Sequence, residues 1–280
     1  MSQTTEQQLV DLQRRMSLAE QRLGTTVPIG PVLTYVQNMD QLHAQMRRQY
    51  HSVIKVVTSW GVDGGWTQDR IREVCQYPMV IVRTYAGDPS SPGAPGLPEY
   101  KHIVRELAPW IVENHQNMWI EIGNEPNVRG DEAYYWDYRW HLVETITNLR
   151  NRYPNLKFIA PSPVMDASRR ASARRWEEIC RDALQMYDAQ ALHAYEFTRF
   201  SGSDSGRTLQ LEEAIRMFPY AKNYVLTEFG INSPGISQLE KLRMYRELSW
   251  RLPPSFIAAT YYHLTVKPSD EDQKRYQVWI

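Results

Sequence analysis

The chain is short of cysteine, of net charge and of long apolar runs, and each shortage removes a class of protein. Its two cysteines, Cys75 and Cys180, have no CxxC spacing. That rules out a disulfide framework or zinc knuckle, and both are expected as buried thiols on helices. Lys plus Arg total 32 and Asp plus Glu total 32, so no global field draws the protein to nucleic acid or to an anionic lipid surface. No run suggests a membrane span, and the first residues lack a basic start followed by an apolar stretch. With no secretory signal visible, a soluble, cytoplasmic protein is the default expectation. The seven histidines form no His-x-His or HExxH, and only His193 and His263 fall near expected strand ends. That is too few for a catalytic zinc set, so no metal and no organic cofactor are expected.

What is present is a regular alternation. Eight apolar, strand-like runs cover 29–35, 52–60, 79–85, 119–125, 157–162, 191–195, 224–228 and 256–263. Between them lie amphipathic, helix-like runs at 40–50, 67–76, 99–114, 131–152, 172–187, 208–218 and 237–250, bounded by Gly, Pro, Asn or Ser. Strict βα alternation with strands buried on both faces calls for a parallel sheet covered by helices, and eight repeats call for closure. The fold class expected is α/β, a (β/α)8 TIM barrel, which a chain of 280 residues fits as one unit. An open doubly wound sheet is the runner-up, but no GxGxxG follows any strand.

An extra helix is expected ahead of the barrel. Leu9, Leu12, Met16, Ala19 and Leu23 form one stripe, and Gly24 stops it. Residues 1–24 would then pack on the barrel or join a second copy as a homo-oligomer, with 25–280 as the catalytic barrel. Beyond His263 only 17 residues remain, so the N-terminal helix could cover surface that a longer eighth helix would otherwise cover.

Two motifs close apolar runs: Ile122-Gly123-Asn124-Glu125-Pro126 and Leu226-Thr227-Glu228-Phe229-Gly230. Alone, the first reads as a strand stopping at proline and the second as a strand entering a glycine turn. Together they put two carboxylates at strand ends 103 residues apart, a span of three βα units. Glycosidic bond hydrolysis needs such a pair, one a protonated acid and the other an ionised nucleophile or base. Alternation along the fourth strand places Glu121, Gly123 and Glu125 on the inward face. Glu125 would sit at the mouth and Glu121 deeper, a structural group with Lys55 and Arg83 as candidate partners.

These two motifs, with His193-Ala194-Tyr195 ending the sixth strand, resemble the clan A retaining glycoside hydrolases, which include cellulase-like, mannanase-like and xylosidase-like enzymes. The resemblance implies Glu125 as general acid/base and Glu228 as nucleophile, with Asn124 on the sugar 2-hydroxyl. Tyr195 would donate to Glu228, and His193 would brace the strand end or a sugar hydroxyl; since Glu228 must stay charged, Tyr195 and Arg83 are the groups expected around it. It also implies carboxyl groups about 5 to 5.5 Å apart and retention of configuration. Clan members commonly carry an arginine at an earlier strand end and a tryptophan ending strand eight. Here Arg83 falls on strand three, and strand eight ends Tyr261-Tyr262-His263, so Tyr262 or His263 would floor the sugar site.

The nine tryptophans and 17 tyrosines suit stacking on sugar rings as well as core filling. Trp60 and Tyr85, at strand ends, are the favoured stacking residues, with Trp66, Tyr134, Tyr135, Trp136, Phe197 and Phe200 as further candidates. Loops 86–98 and 198–207 leave carboxyl ends of strands, where barrel sites are built, and their shape would decide endo or exo action. Arg169, Arg170, Arg174 and Arg175 begin a helix and read as a solvated face or carboxylate partners. The function expected is a retaining hydrolase cleaving β-glycosidic bonds of an oligo- or polysaccharide by double displacement. The alternative is a catalytically inactive carbohydrate-binding barrel.

Overall fold

Short strands that are apolar on both faces must be covered twice, and this chain does so by rolling one sheet into a ring inside a layer of helices. In the computed structural model the described residues are 27–33, 38–49, 51–58, 67–84, 107–114, 117–128, 131–165, 168–195, 211–231 and 236–265. The strands are β1 (Ile29–Leu33), β2 (Val53–Thr58), β3 (Met79–Thr84), β4 (Met118–Glu121), β5 (Lys157–Ala160), β6 (Ala189–Tyr195), β7 (Tyr224–Gly230) and β8 (Phe256–Thr265). They pair in chain order, all parallel, and β8 closes on β1. The fold is a (β/α)8 barrel.

The helices among the described residues are α1 (Met39–Arg48), α2 (Gln68–Val74), α3 (Ala108–Asn114), α4 (Glu132–Arg152), α5 (Arg170–Leu184), α6 (Leu211–Met217) and α7 (Gln238–Arg251). Four begin at a side chain that takes up an orphan backbone N–H. Asn38 accepts from Gln41 N, Thr67 from Arg70 N, Asp131 from Ala133 N and Ser237 from Glu240 N. All eight expected strands and seven expected helices are present with shifted ends. The expected N-terminal helix and loops 86–98 and 198–207 lie outside the described residues.

Two apolar layers hold the barrel. The larger lies between sheet and helices, where Tyr135, Tyr138, Trp176 and Phe218 are fully covered. The smaller plugs the barrel itself: Val53, Ile81 and Ile159 meet Ala189, Ala191, Val225 and Ala258. Branched residues from β2, β3, β5 and β7 and alanines from β6 and β8 pack together there. Each large apolar side chain buried there contributes roughly 1.5–3 kcal/mol.

Cys180 is buried within α5, whereas Cys75 caps the end of α2 and is only half-buried, its thiol donating to Ile71 O at 3.1 Å. That corrects the expectation of two buried thiols; the second sits where the helix unwinds. The arginine run takes its carboxylate-partner form. Arg170 and Arg174 reach Glu213 at 3.4 and 3.1 Å, and Arg175 reaches Glu132 at 2.6 Å. No helix among the described residues is long and apolar enough to cross a membrane.

Candidate active site

Both motif glutamates arrive at the barrel mouth through a local irregularity. Strand β4 stops at Glu121. The next residues still follow the neighbouring chain, with Ile122 N donating to Ile159 O at 3.0 Å and Glu125 N to Ser162 O at 2.9 Å. Gly123 has φ +79°, and a Cβ there would stand 2.0 Å from Tyr138 Oη, so only glycine fits. Glu125 itself has φ +44°, the only non-glycine residue with positive φ among the described residues. Such a conformation costs about 1–3 kcal/mol and persists where its surroundings hold it. Strand alternation therefore does not carry Glu125 inward, as the sequence suggested; a left-handed turn does.

Asn127 holds that turn, and the sequence reading missed it. Its Nδ2 donates to Val164 O at 2.9 Å while its Oδ1 accepts from Val164 N at 2.7 Å. The Asn-Glu-Pro-Asn order was the available signal, since a buried asparagine after a proline turn can bond two backbone groups at once.

Strand β7 delivers Glu228 differently. Against β6, Leu226 pairs with Leu192, but the next pair is His193 with Glu228, leaving Thr227 as an extra residue. Against β8 the same step occurs between Leu226 and Phe229. Leu226 belongs to the helix-side core, so strict alternation would turn Glu228 outward as well. The bulge at Thr227 reverses that parity and aims the carboxylate inward beside His193. Thr260 Oγ1 donates to Thr227 O at 2.6 Å and holds the bulge from β8.

The side chains then converge. Glu228 Oε1 accepts from Arg83 Nη1 at 2.6 Å and from Lys55 Nζ at 3.2 Å, and Oε2 accepts from Tyr195 Oη at 2.6 Å. Arg83 Nη1 also donates to Asn124 Oδ1 at 2.6 Å. His193 Nδ1 lies 3.0 Å from Glu125 Oε1, and Lys55 Nζ lies 2.6 Å from Glu121 Oε2. A carboxylate oxygen of Glu125 and one of Glu228 are within 4.8 Å of each other. The Glu125 side chain is 28% exposed and that of Glu228 only 7%, so one is reachable from solvent and the other is sheltered.

Charge explains the states of these groups. Burial alone would raise the Glu228 carboxyl, but Lys55, His193 and Arg83 together with the Tyr195 hydroxyl hold it well below the usual carboxylate range. Glu121 is also pushed up by burial yet is brought down to about 2, chiefly by Lys55. Burial lowers His193, but Glu228, Glu121 and Glu125 outweigh it and raise the imidazole to about 9. His193 is thus a cation at neutral pH; its Nδ1–H donates to Glu125, while Nε2 stands 4.0 Å from Glu121 Oε1, near enough for charge attraction but too far for a hydrogen bond. Tyr195 is raised well above its ordinary value by burial and by Glu228, so it stays a donor.

No protein-family model matches the chain, and no curated protein does. Solved structures do. An exo-β-1,3-glucanase from Aureobasidium namibiae superposes with TM-score 0.57 at 14% identity, covering 88% of this chain and 87% of that one. An endo-β-1,3-glucanase from Sorangium cellulosum gives 0.57 at 14%, covering 86% and 89%. An endo-1,4-β-mannanase from Rhizomucor miehei gives 0.55 at 12%, covering 90% and 93%. The chain has the fold of the TIM-barrel glycoside hydrolases.

In this barrel the expected site residues divide into three groups. Glu125, Glu228, Asn124, Arg83, His193 and Tyr195 meet at one mouth. Tyr262 joins them from β8, its ring edge-to-face with Tyr195 at 6.0 Å. His263 belongs to β8 but its side chain is not described, and Trp60, Tyr85, Trp66, Phe197 and Phe200 lie outside the described residues. Tyr135 is a fully covered core residue of α4, and Trp136 is exposed on the same helix. Arg83 bonds Glu228 and Asn124, and of the two candidate partners for Glu121 it is Lys55 that lies against it. His193 bonds Glu125, a contact beyond the strand end or sugar hydroxyl expected for it.

Glu125, His193 and Glu228 offer three potential ligand atoms within 4.8 Å of one another. As a cation site the trio is poorly furnished. Glu228 already accepts at both oxygens, and a protonated His193 has no lone pair to offer.

Proposed function

We propose that this chain is a retaining glycoside hydrolase of β-linked glucan or mannan chains, with Glu228 as nucleophile and Glu125 as acid/base. The observation that carries the reading is the approach of the two carboxylates to within 4.8 Å while Lys55, Arg83 and Tyr195 keep one of them ionised. Retaining enzymes place the pair about 5–5.5 Å apart, and inverting enzymes leave room for a water at about 6.5–9.5 Å. The substrate class follows the glucanase and mannanase named among the structural neighbours.

In the first step a Glu228 oxygen bonds to the anomeric carbon as the bond to the leaving oxygen breaks. That oxygen keeps the electron pair and takes the proton of Glu125. His193 Nδ1–H occupies Glu125 Oε1, which leaves Oε2 to carry that proton. In the second step ionised Glu125 removes a proton from water, whose oxygen attacks the anomeric carbon and frees Glu228. Arg83 can only donate, so it fixes Asn124 Oδ1 toward itself and leaves the amide N–H groups for a sugar hydroxyl.

The test is a panel of nitrophenyl β-glucosides and β-mannosides with β-1,3- and β-1,4-linked oligosaccharides, followed by proton NMR of the first-formed anomer. The β-anomer should appear first, and Glu228→Gln should abolish turnover. Glu125→Gln should still release nitrophenolate, a leaving group that needs no proton. An inverted product, or a fully active Glu228→Gln, would overturn the assignment. Binding across the panel without turnover would point to a carbohydrate-binding barrel instead.

A further inference from the structure

Lys55 and Glu121 have no task in the two steps just described, yet both side chains are wholly buried. Burying an ammonium and a carboxylate costs several kcal/mol each in lost hydration, and an apolar pair of similar volume is often at least as stable. Stability of the barrel is therefore a weak reason for either residue. Their geometry suggests another. Lys55 Nζ is shared, 2.6 Å from Glu121 Oε2 and 3.2 Å from Glu228 Oε1.

The charged and titratable groups around Glu228 come from every neighbouring element. Lys55 stands on β2, Arg83 on β3, Glu121 on β4, Glu125 on the turn after β4, His193 and Tyr195 on β6, and Tyr262 on β8 beside Tyr195. When Glu228 becomes an ester it loses its negative charge, while Glu125 gains one by giving up its proton. Net charge is unchanged but moves across the mouth. His193 gains from that move, because it donates to Glu125. Arg83 still has Asn124 Oδ1. Lys55 loses a partner and has Glu121 left.

Resting on the retaining reading above, we propose that Lys55 is a positioning residue for the nucleophile and Glu121 its standing counter-ion. The ammonium holds Glu228 Oε1 before attack and falls back on Glu121 when Glu228 is esterified, so that no buried cation is stranded in the intermediate. Glu121 is thus more than the structural group its depth suggests.

The experiment uses the full chain labelled with carboxyl-13C glutamate, with the Glu228 signal assigned by its loss in Glu228→Gln. In Lys55→Met the Glu228 titration midpoint should rise by about one pH unit or more, since the leading opposing charge is gone. In Glu121→Gln it should stay or fall, because Lys55 then attends to Glu228 alone. Removing one partner of a buried pair can unfold the protein, so the double variant Lys55→Met/Glu121→Gln, which strands neither charge, is measured alongside and should keep the raised midpoint.

On a nitrophenyl β-glycoside the wild type accepts, the acid limb of kcat/KM should move up in Lys55→Met and not in Glu121→Gln. In Glu121→Gln the nitrophenol burst should slow by about tenfold or more, because ester formation then leaves Lys55 alone. A lysine that only supports the fold would lower activity without moving the limb. An unmoved midpoint in the double variant, or shifts of the same sign in both single variants, overturns the proposal. The NMR titration needs no turnover, so a chain that hydrolyses nothing would defeat the glycosidase reading while this result still stands or falls separately.

Discussion

Around Ile81 the barrel bore is apolar: branched residues from β2, β3, β5 and β7 meet alanines from β6 and β8, with one register slip where Val225 comes to face Ala258. A few residues further along the same strands, the departures from regularity carry charge. Glu125 sits at φ +44° after a glycine that tolerates no side chain, and Glu228 follows a bulge. The lower bore stores the stability that the mouth spends on buried charges and a left-handed glutamate. Alternation can point side chains in or out, but bringing two carboxylates within 4.8 Å took a turn in one strand extension and an extra residue in the other.

The contrast can be pushed hardest at Glu228. Glu228→Gln should lower kcat on the order of 10^6-fold, the scale seen when a covalent nucleophile is lost. Its melting temperature should fall by less than a core cavity costs, because the charge pairing of Glu228 is lost but Lys55 keeps Glu121 and Arg83 keeps Asn124; steady-state kinetics beside a thermal melt checks both. Ile81→Ala should do the reverse, costing about 4 kcal/mol by urea unfolding through a cavity its alanine neighbours cannot fill. The folded variant should keep wild-type kcat.

Gly123→Ala tests the mouth's backbone. A Cβ placed 2.0 Å from Tyr138 Oη at positive φ should cost about 3 kcal/mol, from overpacking and backbone strain together. Adding Tyr138→Phe removes the closest atom and should recover part of that loss, which a double-mutant cycle in urea will show. Full recovery would mean that the backbone at Gly123 is unstrained.

A smaller effect comes from pH. The Glu121 and Glu228 carboxyls are held below their ordinary range. Their stabilisation is present above about pH 4.5 and is lost as pH falls toward their folded values. His193 is raised from 6.5 to about 9, so its contribution is full below pH 6.5 and is lost as pH rises through 9. Buried His51 is held well below its ordinary value and so costs stability as pH falls through 6.5, which means the melting temperature should peak near pH 6.5. The alkaline decline, worth roughly 3 kcal/mol, should vanish in His193→Gln. Least of all should follow from Arg175→Ala on the outer surface, where the pair with Glu132 is solvated and no change in melting temperature should be resolved.

Much of the barrel was legible because its signal is periodic. Runs such as Val53–Thr58 and Tyr224–Gly230 are apolar on both faces, and caps such as Asn38, Asp131 and Ser237 mark where helices begin. The two motif glutamates were legible because each ends such a run. Lys55 was legible as a partner of Glu121 but not of Glu228, since that contact spans 173 residues and depends on barrel closure. Asn127 and the Thr227 bulge escaped because neither disturbs the apolar pattern; a bulge is an extra residue in a pairing, and pairing is absent from a single strand.

The order of strands and helices, the identity of the core and the presence of a carboxylate at the end of each motif strand were properties of the chain's own pattern. They follow from local chemistry repeated at the right period. Which way Glu125 and Glu228 face, how close they come, and which cations hold one of them ionised were decided only when the sheet closed. Those quantities belong to register, bulge and turn, and each involves atoms that distant segments supply.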